Sequence, residues 1–133
     1  MKVLTIGTFD IPHAGHAAFL RQAASLGESL TVGVLSDQFT LITKGKTPLY
    51  DQDERRDLVE AMGYEAYIEM GRMARHKDES ADFSHPSKAI EMSPCIVAVG
   101  SDWMRNNYLA RLGILTPEGL GITIAYVPYT FGS

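Results

Sequence analysis

The chain has 133 residues, 45% hydrophobic and 21% charged, a size and balance that suit one globular domain over residues 1–133 with a core of its own. Twelve basic against sixteen acidic residues leave a formal net charge of −4, which argues against a broad nucleic-acid surface but not against a small nucleotide that needs only a few local cations. One cysteine excludes an internal disulfide and fits a reducing compartment, and no apolar run approaches the roughly 18 residues of a membrane span, so the expectation is a soluble, cytoplasmic protein without a membrane partner.

The first predicted element is a strand, Val3 to Ile6, broken at Gly7. Thr8-Phe9-Asp10-Ile11-Pro12-His13-Ala14-Gly15-His16 follows, and a helical pattern carrying Ala17, Phe19, Leu20, Ala23, Ala24 and Leu26 is predicted over Ala14 to Leu26. A strand, a glycine turn and a helix start form an anion site, because the first helical N–H groups lack partners and the helix dipole is positive there. His13 and His16 are neighbours on the first helical turn and can reach one ligand. Gly15 leaves room for a phosphate against the backbone. The bland alternative is two surface histidines with no shared task.

A second strand is predicted over Leu30 to Leu35, after a C-cap at Gly27. Ser36-Asp37-Gln38-Phe39 follows, and then Lys44-Gly45-Lys46, two lysines flanking a glycine in a loop. The two lysines either neutralise a triphosphate or are solvated loop charge. A helix over Asp51 to Met62 starts with Asp51, Asp53 and Glu54, which complement its dipole, and ends before Gly63. Strand three is predicted over Tyr67 to Met70, and Gly71 to Ser84 reads as a solvated loop, or else a flap over an acceptor site. A short helix, Ser87 to Met92, lies between Pro86 and Pro94. Cys95 opens an apolar run and reads as a buried core residue, ahead of strand four at Ile96 to Val99. A helix over Met104 to Leu112 and a strand over Ile122 to Val127 complete the pattern. Near-continuous apolar strands alternating with helices predict a single-domain α/β fold: a doubly wound, five-stranded parallel sheet with helices on both faces. Such folds bind ligands at the carboxyl ends of the strands, where the strand order reverses.

His13-Ala14-Gly15-His16 resembles the H-x-G-H signature of the nucleotidyltransferases, and Gly7-Thr8-Phe9-Asp10 resembles the G-T-F-D that precedes it in the cytidylyltransferase branch. Gly100-Ser101-Asp102-Trp103 resembles the G-x-D-W of the glycerol-3-phosphate cytidylyltransferases. The resemblance runs from Lys2 to Gly132 and is poorest between Gly71 and Ser93. It implies a Rossmann-like fold, a homodimer, and Mg²⁺-dependent transfer of CMP from CTP to a small phosphorylated alcohol, glycerol 3-phosphate first among candidates, with release of pyrophosphate.

The resemblance also implies site roles. His13 and His16 would donate hydrogen bonds to the oxygens of the five-coordinate transition state. Lys44, ranked first, and Lys46 would hold the triphosphate. Arg55, or Arg56 in its place, would contact substrate phosphate. Gly7, Thr8, Phe9 and Asp10 would shape the first loop, with Thr8 toward a phosphate. Gly100, Asp102 and Trp103 would border the nucleotide. Trp103 reads equally as a base-stacking or a core residue, and Asp102 as a ligand contact or a helix cap. Pro128, Thr130 and Gly132 match the family's P-R-T-x-G segment, whereas Tyr129 stands where the family has arginine. Three rival readings follow. The chain could be an adenylyltransferase using ATP, of the pantetheine-phosphate, nicotinamide-nucleotide or heptose-phosphate type. It could be a nucleotide-binding module that has lost catalysis, or a small metal site built from His13, His16 and Asp10.

Overall fold

A computed structural model describes residues 1–10, 14–45, 47–70, 87–100 and 121–128. Its elements in chain order are β1 (Lys2–Gly7), α1 (Ala14–Ala24), β2 (Ser29–Leu35), α2 (Asp37–Lys44), α3 (Gln52–Ala61), β3 (Glu65–Glu69), α4 (Ser87–Met92), β4 (Cys95–Gly100) and β5 (Ile122–Val127). The five strands form one parallel sheet in the order β3-β2-β1-β4-β5. The winding reverses between β1 and β4, so the carboxyl ends at Gly7 and Gly100 flank the switch point. This is the doubly wound, Rossmann-like arrangement the apolar pattern predicts.

Alternate strand residues face opposite sides of the sheet, and the core divides accordingly. Val3, Leu30, Val32, Val34 and Ala98 pack with Phe19, Leu20 and Ala23 of α1 and Val59 of α3. Leu4, Cys95, Val97, Val99 and Ile122 pack with Ala89 of α4 on the other side. Burying a leucine such as Leu4 or Leu20 contributes about 1.5–3 kcal/mol. Thr5 is buried in this apolar setting, but its hydroxyl donates to the Ala98 carbonyl at 2.8 Å.

Helix α3 starts where its sequence signals place it. Asp51 is the N-cap, accepting from the Glu54 N–H at 2.8 Å while Glu54 accepts from the Asp51 N–H, a capping box. Gly63, with φ +99°, takes the left-handed turn past its end.

Three expectations need correction. Residues 37–44, where no helix is expected and Lys44 is read as a loop residue, form helix α2. Ser36 caps it by accepting from the Phe39 N–H at 3.1 Å, and Gly45 (φ +75°) closes it by donating to the Leu41 carbonyl at 2.8 Å. Gly27 is not a left-handed cap. It is a close-approach glycine, where a Cβ would lie 2.0 Å from the Met1 carbonyl oxygen. Strand β3 begins earlier than expected and ends at Glu69, leaving Met70 exposed. The expected helix over Met104 to Leu112 and the segment Gly71 to Ser84 lie outside the described residues.

Candidate active site

Past β1 the chain turns sharply. Phe9 adopts φ +51°, an uncommon backbone for a bulky residue, and its ring folds back over Gly7. A methyl group at Gly7 would lie 2.9 Å from that ring. The Phe9 side chain belongs to the core. Its ring meets the His16 imidazole edge-on, with centroids 5.8 Å apart and planes at 75°. His16 is half-buried on the first turn of α1.

Asp10 anchors the loop. Its Oδ2 accepts from the Leu49 N–H at 2.9 Å and its Oδ1 from the Tyr50 N–H at 3.0 Å. Both Asp10 oxygens are thus engaged by backbone, tying the loop after β1 to the segment ahead of α3.

Arg55 is where the structure departs most from the sequence reading. It was expected on substrate phosphate, yet it is 0% exposed. Its Nε donates to the Tyr50 carbonyl at 2.9 Å, and its Nη1 donates to the carbonyls of Thr8 at 2.7 Å and Leu35 at 2.8 Å. Its Nη2 pairs with Asp37 Oδ1 at 2.6 Å. Four of its five N–H groups are thus directed at protein acceptors, and the guanidinium is enclosed by the protein. Arg56, the alternative, sits beside Asp53, Asp57 and Glu60 at 3.4, 3.6 and 3.4 Å, a surface ion-pair network on one helix face.

Asp37 and Gln52 belong to this arrangement and were missed in the sequence. Asp37 Oδ2 accepts from the Gln52 N–H at 3.2 Å, and Gln52 Oε1 accepts from the Asp37 N–H at 3.0 Å, so the starts of α2 and α3 are joined. No sequence signal distinguishes an arginine that reaches a phosphate from one that gathers carbonyls, since both follow an acidic helix start.

Gly7, Thr8, Phe9, Asp10, His16 and Arg55 are therefore brought together at the carboxyl ends of β1 and β2. Gly100 stands at the end of β4, on the other side of the switch point. Gly15 and Lys44 lie in the backbones of α1 and α2. His13, Lys46, Asp102, Trp103, Tyr129, Thr130 and Gly132 lie outside the described residues. Cys95 is buried, its Sγ 3.5 Å from the Ala89 carbonyl, and burial pushes its thiol pKa up, away from a reactive thiolate. Among the described residues no three metal-capable side chains converge, and no helix is long and apolar enough to cross a membrane.

Residues 4–113, which take in the β1 loop, Arg55 and the end of β4, match the family described as cytidylyltransferase-like. The chain belongs to the cytidylyltransferase-like family. Its relatives include an FAD synthase of Methanosarcina barkeri, 32% identical over 127 residues, covering 96% of this chain and 83% of the relative. An FAD synthase of Thermococcus kodakarensis is 28% identical over 133 residues, covering 100% of this chain and 83% of the relative. The lipopolysaccharide core biosynthesis protein from Thermoplasma volcanium shares the fold with a TM-score of 0.64 at 24% identity, covering 100% of this chain and 98% of that one. This member of the cytidylyltransferase-like family is a nucleotidyltransferase.

Proposed function

We propose that this nucleotidyltransferase joins AMP from ATP to FMN, forming FAD and releasing pyrophosphate. The observation that carries the reading is the match to FAD synthases along 96–100% of the chain. This replaces CTP and glycerol 3-phosphate as the first choice and favours the adenylyl-transfer alternative.

An oxygen of the FMN phosphate attacks the α-phosphorus of ATP, and the bond from that phosphorus to the bridging oxygen breaks as pyrophosphate leaves. The acceptor is a phosphate monoester, already largely dianionic near neutral pH. It needs no strong general base, so the protein's task is positioning and charge neutralisation. His16, with His13, donates hydrogen bonds to the α-phosphoryl oxygens as charge builds there. Lys44 and Lys46 neutralise the departing phosphates. Both Asp10 oxygens already accept from backbone N–H groups, so a Mg²⁺ ion entering with the triphosphate would supply charge neutralisation there without needing Asp10 as a ligand.

A second reading, CMP transfer from CTP to a phosphorylated alcohol, is favoured by one observation, the Gly100-x-Asp102-Trp103 segment. The test is chromatographic detection of FAD after incubation with FMN, ATP and Mg²⁺, beside CTP with glycerol 3-phosphate. FAD formation supports the first reading. A CDP-linked product in its place supports the second and overturns the first.

A further inference from the structure

We propose that Arg55 and Asp10 together form a clamp that holds Phe9 in its left-handed backbone and so aims the His16 imidazole; both are positioning residues, and their effect on rate rests on the nucleotidyl-transfer reading. The clamp closes on one residue. The Tyr50 N–H donates to Asp10 and the Tyr50 carbonyl accepts from Arg55, so the loop after β1 and helix α3 grip the same residue from opposite sides. Arg55 also takes the Thr8 carbonyl, just ahead of Phe9, while Asp10, just behind it, is tied to Leu49 and Tyr50. Phe9 is therefore pinned on both flanks. A strained backbone of this kind persists only where the surroundings over-determine it, and here they do.

The strain has a consequence for geometry. With φ near +51° the Phe9 ring turns inward, fills the space Gly7 leaves by lacking a side chain, and lies against His16. A relaxed Phe9 would take its ring off both. Asp37 completes the anchor, because it fixes Arg55 through one oxygen and the start of α3 through the other. Lysine cannot replace Arg55: an ammonium is a point donor and cannot reach four acceptors arranged around a planar fork.

Arg55→Lys is expected to lower kcat by about 10²-fold, the scale of a 1 Å misplacement of a catalytic group, with the KM for ATP changed by less than about threefold. The deciding comparison is a double-mutant cycle with Phe9→Leu. If the clamp acts through Phe9, Arg55→Lys costs little further rate once Phe9 is gone; two independent structural losses would multiply. Amide hydrogen exchange gives a readout besides activity: Leu49 and Tyr50 amides lose protection in Arg55→Lys while Val32 in the sheet keeps it. Should Arg55→Lys not fold, Asp10→Asn is used in its place throughout. Multiplicative effects on kcat, or unchanged protection at Leu49 and Tyr50, overturn the clamp. A wild-type protein that forms neither FAD nor a CDP-linked product overturns the proposed function instead, and the exchange measurement still decides the clamp.

Discussion

Replacing Arg55 with methionine separates the sequence reading from the structure. Methionine restores part of the apolar volume but supplies no donor. Removing one partner of a buried ion pair costs about 3–5 kcal/mol, because the charge left behind is uncompensated. The carbonyls of Thr8, Leu35 and Tyr50 also lose a donor, at about 1–3 kcal/mol each if they stay dry. Asp37 is 38% exposed, so water can enter from its end and recover part of that loss. A net destabilisation of at least about 4 kcal/mol remains after that recovery, a large share of the roughly 5–15 kcal/mol typical of a domain. For a chain of this length it corresponds to a fall in Tm of roughly 10–20 °C. Urea unfolding of the ligand-free protein measures it, with an unchanged m-value showing that stability alone has moved. An arginine that merely held phosphate would behave otherwise: it would leave the ligand-free protein within about 0.5 kcal/mol of wild type and raise the KM for ATP. That result would refute the buried-hub argument.

Gly27→Ala places a methyl group on the Met1 carbonyl and forces the start of β1 to move, at a cost of about 1–3 kcal/mol by thermal unfolding. Thr5→Val keeps the shape but leaves the Ala98 carbonyl without its hydroxyl donor, so about 1–2 kcal/mol is lost in the same assay. The Glu54 backbone N–H beside Asp51 holds that carboxyl below its ordinary value of 3.8. Because the folded pKa is depressed, the stabilisation is present above the unfolded pKa and is lost as pH falls through the folded one. Asp51→Asn should therefore have a lower Tm than wild type near neutral pH, and the gap should close as the medium is made strongly acidic.

The strands were legible because a sheet buried on both faces reads as apolar runs, and Ile122 to Val127 came out with its bounds intact. Helix α2 was not legible. It has only eight residues, and Gly45, which ends it, was read as a spacer between two lysines. Gly27 looked like a helix cap because sequence shows that a glycine stands after a helix, not which atom it makes room for. The loop after β1 was found by its motif, but the positive φ of Phe9 was hidden, since no local pattern asks a phenylalanine to be left-handed. Arg55 stands out in the sequence by the family's arginine at this helix start, but the partners it has in the fold do not. Its acceptors, Thr8, Leu35, Asp37 and Tyr50, come from three separate stretches that only the fold assembles.

The most direct test of the account is pyrophosphate release with ATP, FMN and Mg²⁺, measured for the wild-type protein and for His16→Ala. Release by the wild type is expected, with a kcat lower by about 10²–10³-fold in His16→Ala and the KM for ATP little changed, as for loss of one donor to the transition state. Retention of most of the activity by His16→Ala would contradict the role given to the histidine at the start of α1.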